Sequence, residues 1–201
     1  RNRVGVNLYR AYDELLYKPI NIVIPMAGAG SRFAVAGYDV PKPFIEFEGK
    51  MMIEHVLASF KRINAVFTLI MQEKFLSEQK NQVEKLQEKY KITIVTVPKL
   101  TMGAAITALA AHKAINPEYD IIFADSDNIF DDEDVLKFVA SIRSRNLKGA
   151  LLTFKSANPC FSYAKVNNEG LLIETKEKEV ISDHAICGCL LYTSDAADDR
   201  I

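Results

Sequence analysis

The 201-residue chain is 49% hydrophobic and 25% charged, with a formal net charge of −1, a balance that suits one globular domain with a real core. No basic stripe marks a nucleic-acid or membrane surface, and no apolar run reaches the roughly 18 residues of a membrane span. The three cysteines, Cys160, Cys187 and Cys189, have no zinc or disulfide spacing, and a reducing cytoplasm is the expected setting.

Arg1 to Pro19 reads as an N-terminal extension or the tail of an upstream segment, with no assigned function. Asn21 to Pro25 is a first buried strand ending on a glycine-rich loop. Met52, Ile53, Val56, Leu57 and Phe60 then recur at helical spacing. Val66 to Met71 is a second strand. Lys74 to Tyr90 is read as one polar helix with a narrow apolar stripe at Val83, Leu86 and Tyr90. Ile92 to Val97 is a third strand, Gly103 to Ala114 an Ala-rich helix, Asp120 to Ala124 a fourth strand, Asp131 to Arg145 a helix and Ala150 to Phe154 a strand. Alternation of this kind predicts an α/β fold, a mostly parallel, twisted sheet flanked by helices. Ser162 to Val166 and Leu171 to Thr175 flank Asn167-Asn168-Glu169-Gly170 as an antiparallel hairpin, so the sheet is expected to be mixed.

The first strand runs into Pro25-Met26-Ala27-Gly28-Ala29-Gly30-Ser31-Arg32-Phe33, where glycines let the backbone approach a ligand and present N–H groups to phosphate. A dinucleotide-binding reading, with Glu48 as the ribose acid, fails because Phe33 stands at the third glycine and Pro41-Lys42-Pro43 interrupts the crossover helix. A Walker loop fails for want of Gly-Lys-Ser/Thr. Arg32 offers a planar fork for phosphate and Lys42 a compact charge on a proline-restricted backbone. In a chain of nearly zero net charge, these two cations bracket the loop as if placed for a polyphosphate.

Further on, Ala124-Asp125-Ser126-Asp127-Asn128 follows a parallel strand directly, where α/β sheets bind ligands and Asp supplies the hard oxygen Mg²⁺ prefers. Asp127 as a plain helix cap is the competing reading, and Asp131, Asp132 and Glu133 suit the start of the next helix.

Gly28-x-Gly30-x-Arg32, Gly37-Tyr38, Pro41-Lys42-Pro43-Phe44-Ile45 and Gly49-Lys50-x-Met52-Ile53 together resemble the signature of the sugar-phosphate nucleotidyltransferases. The resemblance spans about Asn21 to Gly188 and implies a nucleotide-diphospho-sugar transferase-like fold that moves NMP from an NTP to a small phosphorylated acceptor with Mg²⁺. It implies that Arg32, Lys42 and Asp127 carry catalysis, with Asp127 as the metal ligand and Asp125 assisting through water. Met26, Ala27, Gly28, Ala29, Gly30, Ser31, Gly103 and Ser126 would hold the nucleotide; Tyr163, Glu177 and Lys178, with Lys176 as an alternative register, would hold the acceptor. NTP and acceptor are the expected partners, with no nucleic acid or membrane; a homo-oligomer is compatible. The family's second metal carboxylate would lie beyond Gly188, so slow turnover is expected. Cys189 to Ile201 resembles the translation of a sequencing adapter and is expected to be a tail foreign to a domain spanning residues 20–188. Two rivals remain: a glycosyltransferase reading Asp125-Ser126-Asp127 as Asp-x-Asp, and a nucleotide-binding regulatory module without catalysis.

Overall fold

The computed structural model describes residues 17–193, and of Ser31, Arg32 and residues 188–193 the backbone only. Its frame is a mixed sheet with strand order β5 (Ile92–Val97), β4 (Ala65–Gln72), β1 (Ile20–Pro25), β6 (Asp120–Phe123), β10 (His184–Thr193), β8 (Tyr163–Val166) and β9 (Leu172–Lys176), with β7 (Gly149–Lys155) also paired to β10. β1 (Ile20–Pro25) lies between β4 (Ala65–Gln72) and β6 (Asp120–Phe123), parallel to both, and β5 (Ile92–Val97) extends the parallel part beyond β4. The chain therefore leaves β1 for one side of the sheet and later returns on the other.

Such a reversal opens a crevice at the carboxyl ends of β1 and β6, the position where open α/β sheets bind ligands. β1 can occupy the middle because its pattern is apolar on both faces. Ile20, Ile22 and Ile24 join a core with α2 (Met52–Ala58), α4 (Lys80–Lys89) and α6 (Asp132–Ser144), while Val23 packs oppositely with Ile70, Val97 and Ala111. Above that second face lies α5 (Ala104–Leu109), continued by a 3-10 turn over Ala110–Lys113.

The polar exception in β1 is Asn21, which is buried. Its amide donates to the carbonyls of Asn116 (2.8 Å) and Tyr119 (3.3 Å), and its Oδ1 accepts the Asn116 N–H (3.2 Å). One side chain thus fixes the turn that delivers the chain into β6. Asn21→Ala strands these buried groups and is expected to lower unfolding free energy by about 2 kcal/mol, read as a shifted urea midpoint at unchanged slope. An unmoved midpoint would refute the clamp.

The strands and helices expected from periodicity are present, with three differences. The helix over Lys74 to Tyr90 is two helices, α3 (Glu73–Glu78) and α4, broken at Gln79 (φ −114°, ψ 27°). Gln79 falls on the stripe that continues to Val83 and Leu86, and its buried Oε1 lacks a partner among the described residues. A polar residue interrupts an otherwise apolar face there.

Second, the stretch around the glycine and proline motifs is built from short elements. They are α1 (Ser31–Val35), a 3-10 turn over Lys42–Phe44, and the ribbon of β2 (Glu46–Phe47) with β3 (Lys50–Met51).

Third, the sheet has a strand for which no period was read in the sequence. β10 (His184–Thr193) runs antiparallel to β7 (Gly149–Lys155), and Leu191–Thr193 pairs with Ile121–Phe123 of β6. The expected boundary between domain and foreign tail therefore falls inside a strand; residues 1–16 and 194–201 lie outside the described residues. The predicted hairpin is formed by β8 (Tyr163–Val166) and β9 (Leu172–Lys176), with β9 at the sheet's edge.

Candidate nucleotide site

At the crevice, Met26 N–H donates to Ile70 O (2.8 Å) and Ala124 N–H to Val23 O (3.0 Å), so the loops leaving β1 and β6 start in register with the strands beside them. Gly30 then adopts φ +59°, a left-handed conformation that glycine accepts without strain, and accepts the N–H groups of Phe33 (2.9 Å) and Ala34 (3.1 Å) to open α1. Among the described residues the N–H groups of Gly28, Ala29 and Gly30 meet no acceptor.

From the end of β4, Gln72 reaches across and donates its amide to Ala27 O (2.7 Å), pinning the loop. Sequence reasoning passed over this residue. Its signal was a polar side chain closing an apolar strand at the carboxyl edge of the sheet.

The Lys42–Phe44 turn, introduced by Pro41, packs onto the same loop. A Cβ built on Gly30 would lie 3.8 Å from Lys42 Cβ. The Lys42 ammonium sits 5.2 Å from the centroid of the Phe33 ring, whose own orientation is set by an edge contact with Tyr38 at 5.9 Å.

On the β6 side, Phe130 N–H donates to the buried Ser59 hydroxyl (2.9 Å), which anchors the segment carrying Asp125 to Asp127 against α2. The Asp125 carboxylate accepts the Asn128 amide at 3.2 Å. Burial, with the Asp125 charge nearby, pushes the Cys187 thiol up, so it stays protonated rather than acting as a thiolate ligand. Asp131, not Asp127, caps α6, accepting the N–H groups of Glu133 (2.9 Å) and Asp134 (3.3 Å). That leaves the Asp127 carboxylate to meet Lys42, with which it forms an ion pair across 85 residues of sequence.

Between the two loops is a cavity of about 230 Å³ lined by Pro25, Met26, Gly28, Gly30, Phe33, Lys42, Pro43 and Ser126. Of the expected nucleotide contacts, Met26, Gly28, Gly30 and Ser126 line it. Ala27 instead faces the core beneath α5, and Ala29 is exposed beside the loop. Arg32 and Ser31 open α1 directly after Gly30; their side chains are outside the described part. Gly103, at φ 140°, is the residue before α5, held through the Thr107 hydroxyl (3.0 Å to Gly103 O), and it does not line this cavity.

The expected acceptor residues are not brought to it either. Tyr163 is fully buried because β8 is an interior strand, and its hydroxyl donates to Asn158 O (2.7 Å), bracing the preceding loop. Glu177 and Lys178 are exposed beyond β9 and pair with each other at 3.4 Å, while Lys176 pairs with Glu174 at 3.7 Å.

A parallel-sheet crevice with an amide-lined glycine loop on one lip and a lysine–aspartate pair across it has the architecture of a nucleotidyltransferase. The chain belongs to the MobA-like NTP transferase domain family, whose profile matches residues 22–174. Solved structures of the same fold include the nucleoside-diphosphate-sugar pyrophosphorylase from Vibrio cholerae RC9, at 26% identity and TM-score 0.66 over 86% of this chain and 72% of that one. A protein described as a glucose-1-phosphate thymidylyltransferase from Bacillus anthracis matches at 20% identity and TM-score 0.75 over 87% and 71%. The inositol-1-phosphate CTP transferase from T. maritima matches at 16% and 0.70 over 89% and 71%. A comparison with curated protein sequences gives no match. No helix of the described residues is long and apolar enough to cross a membrane.

Proposed function

We propose that the protein transfers NMP from an NTP to a sugar 1-phosphate or a similar small phosphate, releasing pyrophosphate and forming an NDP-sugar-type product for surface-glycan synthesis in the cytoplasm. The observation that carries this reading is the ion pair that Asp127 makes with Lys42, a residue lining the glycine-loop cavity. The names of the similar solved structures, two of which specify a sugar or inositol phosphate, agree with it.

In this reading the acceptor's phosphate oxygen attacks the α-phosphorus in line, and the bond to pyrophosphate breaks. Transfer of this kind depends on positioning and charge neutralisation more than on a protein nucleophile. Amides of Gly28, Ala29 and Gly30 take phosphate oxygens, Lys42 neutralises the reacting phosphate, and Arg32 neutralises the departing pyrophosphate.

The donor set fits Mg²⁺. Asp127 already engages a cation, Lys42, and no cluster of three His, Cys, Asp or Glu groups exists among the described residues to cage a metal by protein alone. Mg²⁺ is commonly held by one or two carboxylates, with substrate phosphates and water completing its shell. Bound there, it would draw charge from the α- and β-phosphate oxygens.

A matrix of the four common NTPs against sugar 1-phosphates, inositol phosphate and choline phosphate, scored by Mg²⁺-dependent pyrophosphate release, tests the reading. One NTP–acceptor pair is expected to release pyrophosphate in step with a new NDP conjugate. Sugar transfer from an NDP-sugar without pyrophosphate would make the protein a glycosyltransferase, and nucleotide binding without turnover would make it a binding module.

A further inference from the structure

We propose that the Lys42 ammonium is a resident stand-in for the metal ion at Asp127, so that the site refuses a free divalent cation and admits one only together with a triphosphate. The inference rests on the reading of Asp127 as the metal ligand.

Lys42 is anchored at its base by the backbone and at its tip by side-chain contacts alone. Its backbone lies in the Lys42–Phe44 turn, entered through Pro41 at φ −57° and followed by Pro43, and its Cβ is close to the position a Cβ on Gly30 would take. The ammonium is held on one side by the Phe33 ring face and on the other by the Asp127 carboxylate. Rotation of the side chain moves the charge within the cavity that Lys42 and Phe33 both line, while the turn stays in place.

A metal ion arriving alone has to share Asp127 with that ammonium or expel it, and two cations on one carboxylate repel each other. Expulsion also leaves the ammonium, among the described residues, with the Phe33 ring face, a weaker partner than a carboxylate. A triphosphate changes the balance. Its oxygens give Lys42 a new anionic partner in the same cavity, and the vacated carboxylate then takes the metal. One ion pair is exchanged for two, so metal and triphosphate raise each other's affinity, as linkage requires.

Titration of the full chain with Mn²⁺ in the absence of nucleotide, read from the EPR signal of the free ion, tests this directly. The parent protein is expected to bind Mn²⁺ weakly. Lys42→Met is expected to tighten Mn²⁺ binding by about tenfold or more, Lys42→Arg to leave it weak, and Asp127→Asn added to Lys42→Met to abolish the gain. Phe33→Leu, which removes the ring beneath the ammonium together with its edge contact to Tyr38, is expected to shift affinity in the same direction by a smaller factor. Circular dichroism checks that each variant is folded.

Mn²⁺ binding to Lys42→Met no tighter than to the parent overturns the proposal, as does a gain that survives loss of Asp127. Pyrophosphate release by the parent is a separate readout. If it depends on Asp127 while Lys42→Met binds Mn²⁺ no better, the transferase reading stands and only the stand-in role is lost. If Lys42→Met takes up Mn²⁺ through Asp127 but the parent transfers no nucleotide, the reverse holds.

Discussion

Asp127→Asn is expected to lower the rate of pyrophosphate release by about a thousandfold, some 4 kcal/mol of transition-state stabilisation, and to abolish the metal dependence of NTP binding. The amide keeps the size of the carboxylate and removes the charge on which the metal and Lys42 both depend. Stability is expected to change by less than about 1 kcal/mol, because the Lys42 and Asp127 side chains are 22% and 35% exposed and each is still solvated when the other is neutral. Turnover and metal-dependent NTP binding should therefore fall together while the unfolding curve stays in place. Parallel loss of rate and stability would instead make Asp127 structural. Full retention of rate would remove the basis for placing the metal there.

Arg143→Met is expected to have the opposite profile, a large loss of stability with the site's chemistry spared in whatever fraction remains folded. Arg143 projects from α6 to the amino end of β6, where its Nε and Nη2 donate to Asp120 Oδ2 at 3.0 and 2.8 Å. Nη2 also donates to Lys18 O at 3.2 Å. The two side chains are only 4% and 13% exposed, so deleting the guanidinium takes two charge-assisted hydrogen bonds from a carboxylate largely shielded from water. The expected cost is about 3–5 kcal/mol, a large share of the 5–15 kcal/mol or so that holds a domain folded. Chemical denaturation measures it. Adding Asp120→Leu should recover much of the loss, since a buried ion pair replaced by apolar groups is often neutral or better. A double variant as unstable as the single one would assign the damage to lost packing of the arginine stem.

The parallel half of the sheet was legible because each of its strands is an apolar run with turn residues at its end, and neither neighbour can change that pattern. Harder to read were elements shaped by a single side chain. Gln79 ends a helix whose composition continues smoothly through it. The turn at Lys42 and the ribbon that follows are too short for any period to register.

In the site, the residues seen in advance were those whose chemistry stands out beside a strand end: Gly28, Gly30, Lys42 and Asp127. One residue escaped, and one that was named in advance lies elsewhere. Gln72 acts through one long-range bond to Ala27 O, which no local pattern records. Tyr163 carries a polar group suited to a sugar, but the order of strands around β8 turns it inward, and that order is set by pairings far apart in the chain.

The two halves of the candidate site lie on opposite sides of the connection between β5 and α5, where Met102 stands 97% exposed. Cleavage there would separate a fragment holding the glycine loop and Lys42 from one holding Asp127. The backbone ladder of Ile20–Val23 against Asp120–Phe123 would be the main seam along which they rejoin. Neither fragment alone would bring the cationic loop and the proposed metal ligand to one triphosphate, so nucleotide chemistry would report their reassembly, as in a two-part complementation sensor.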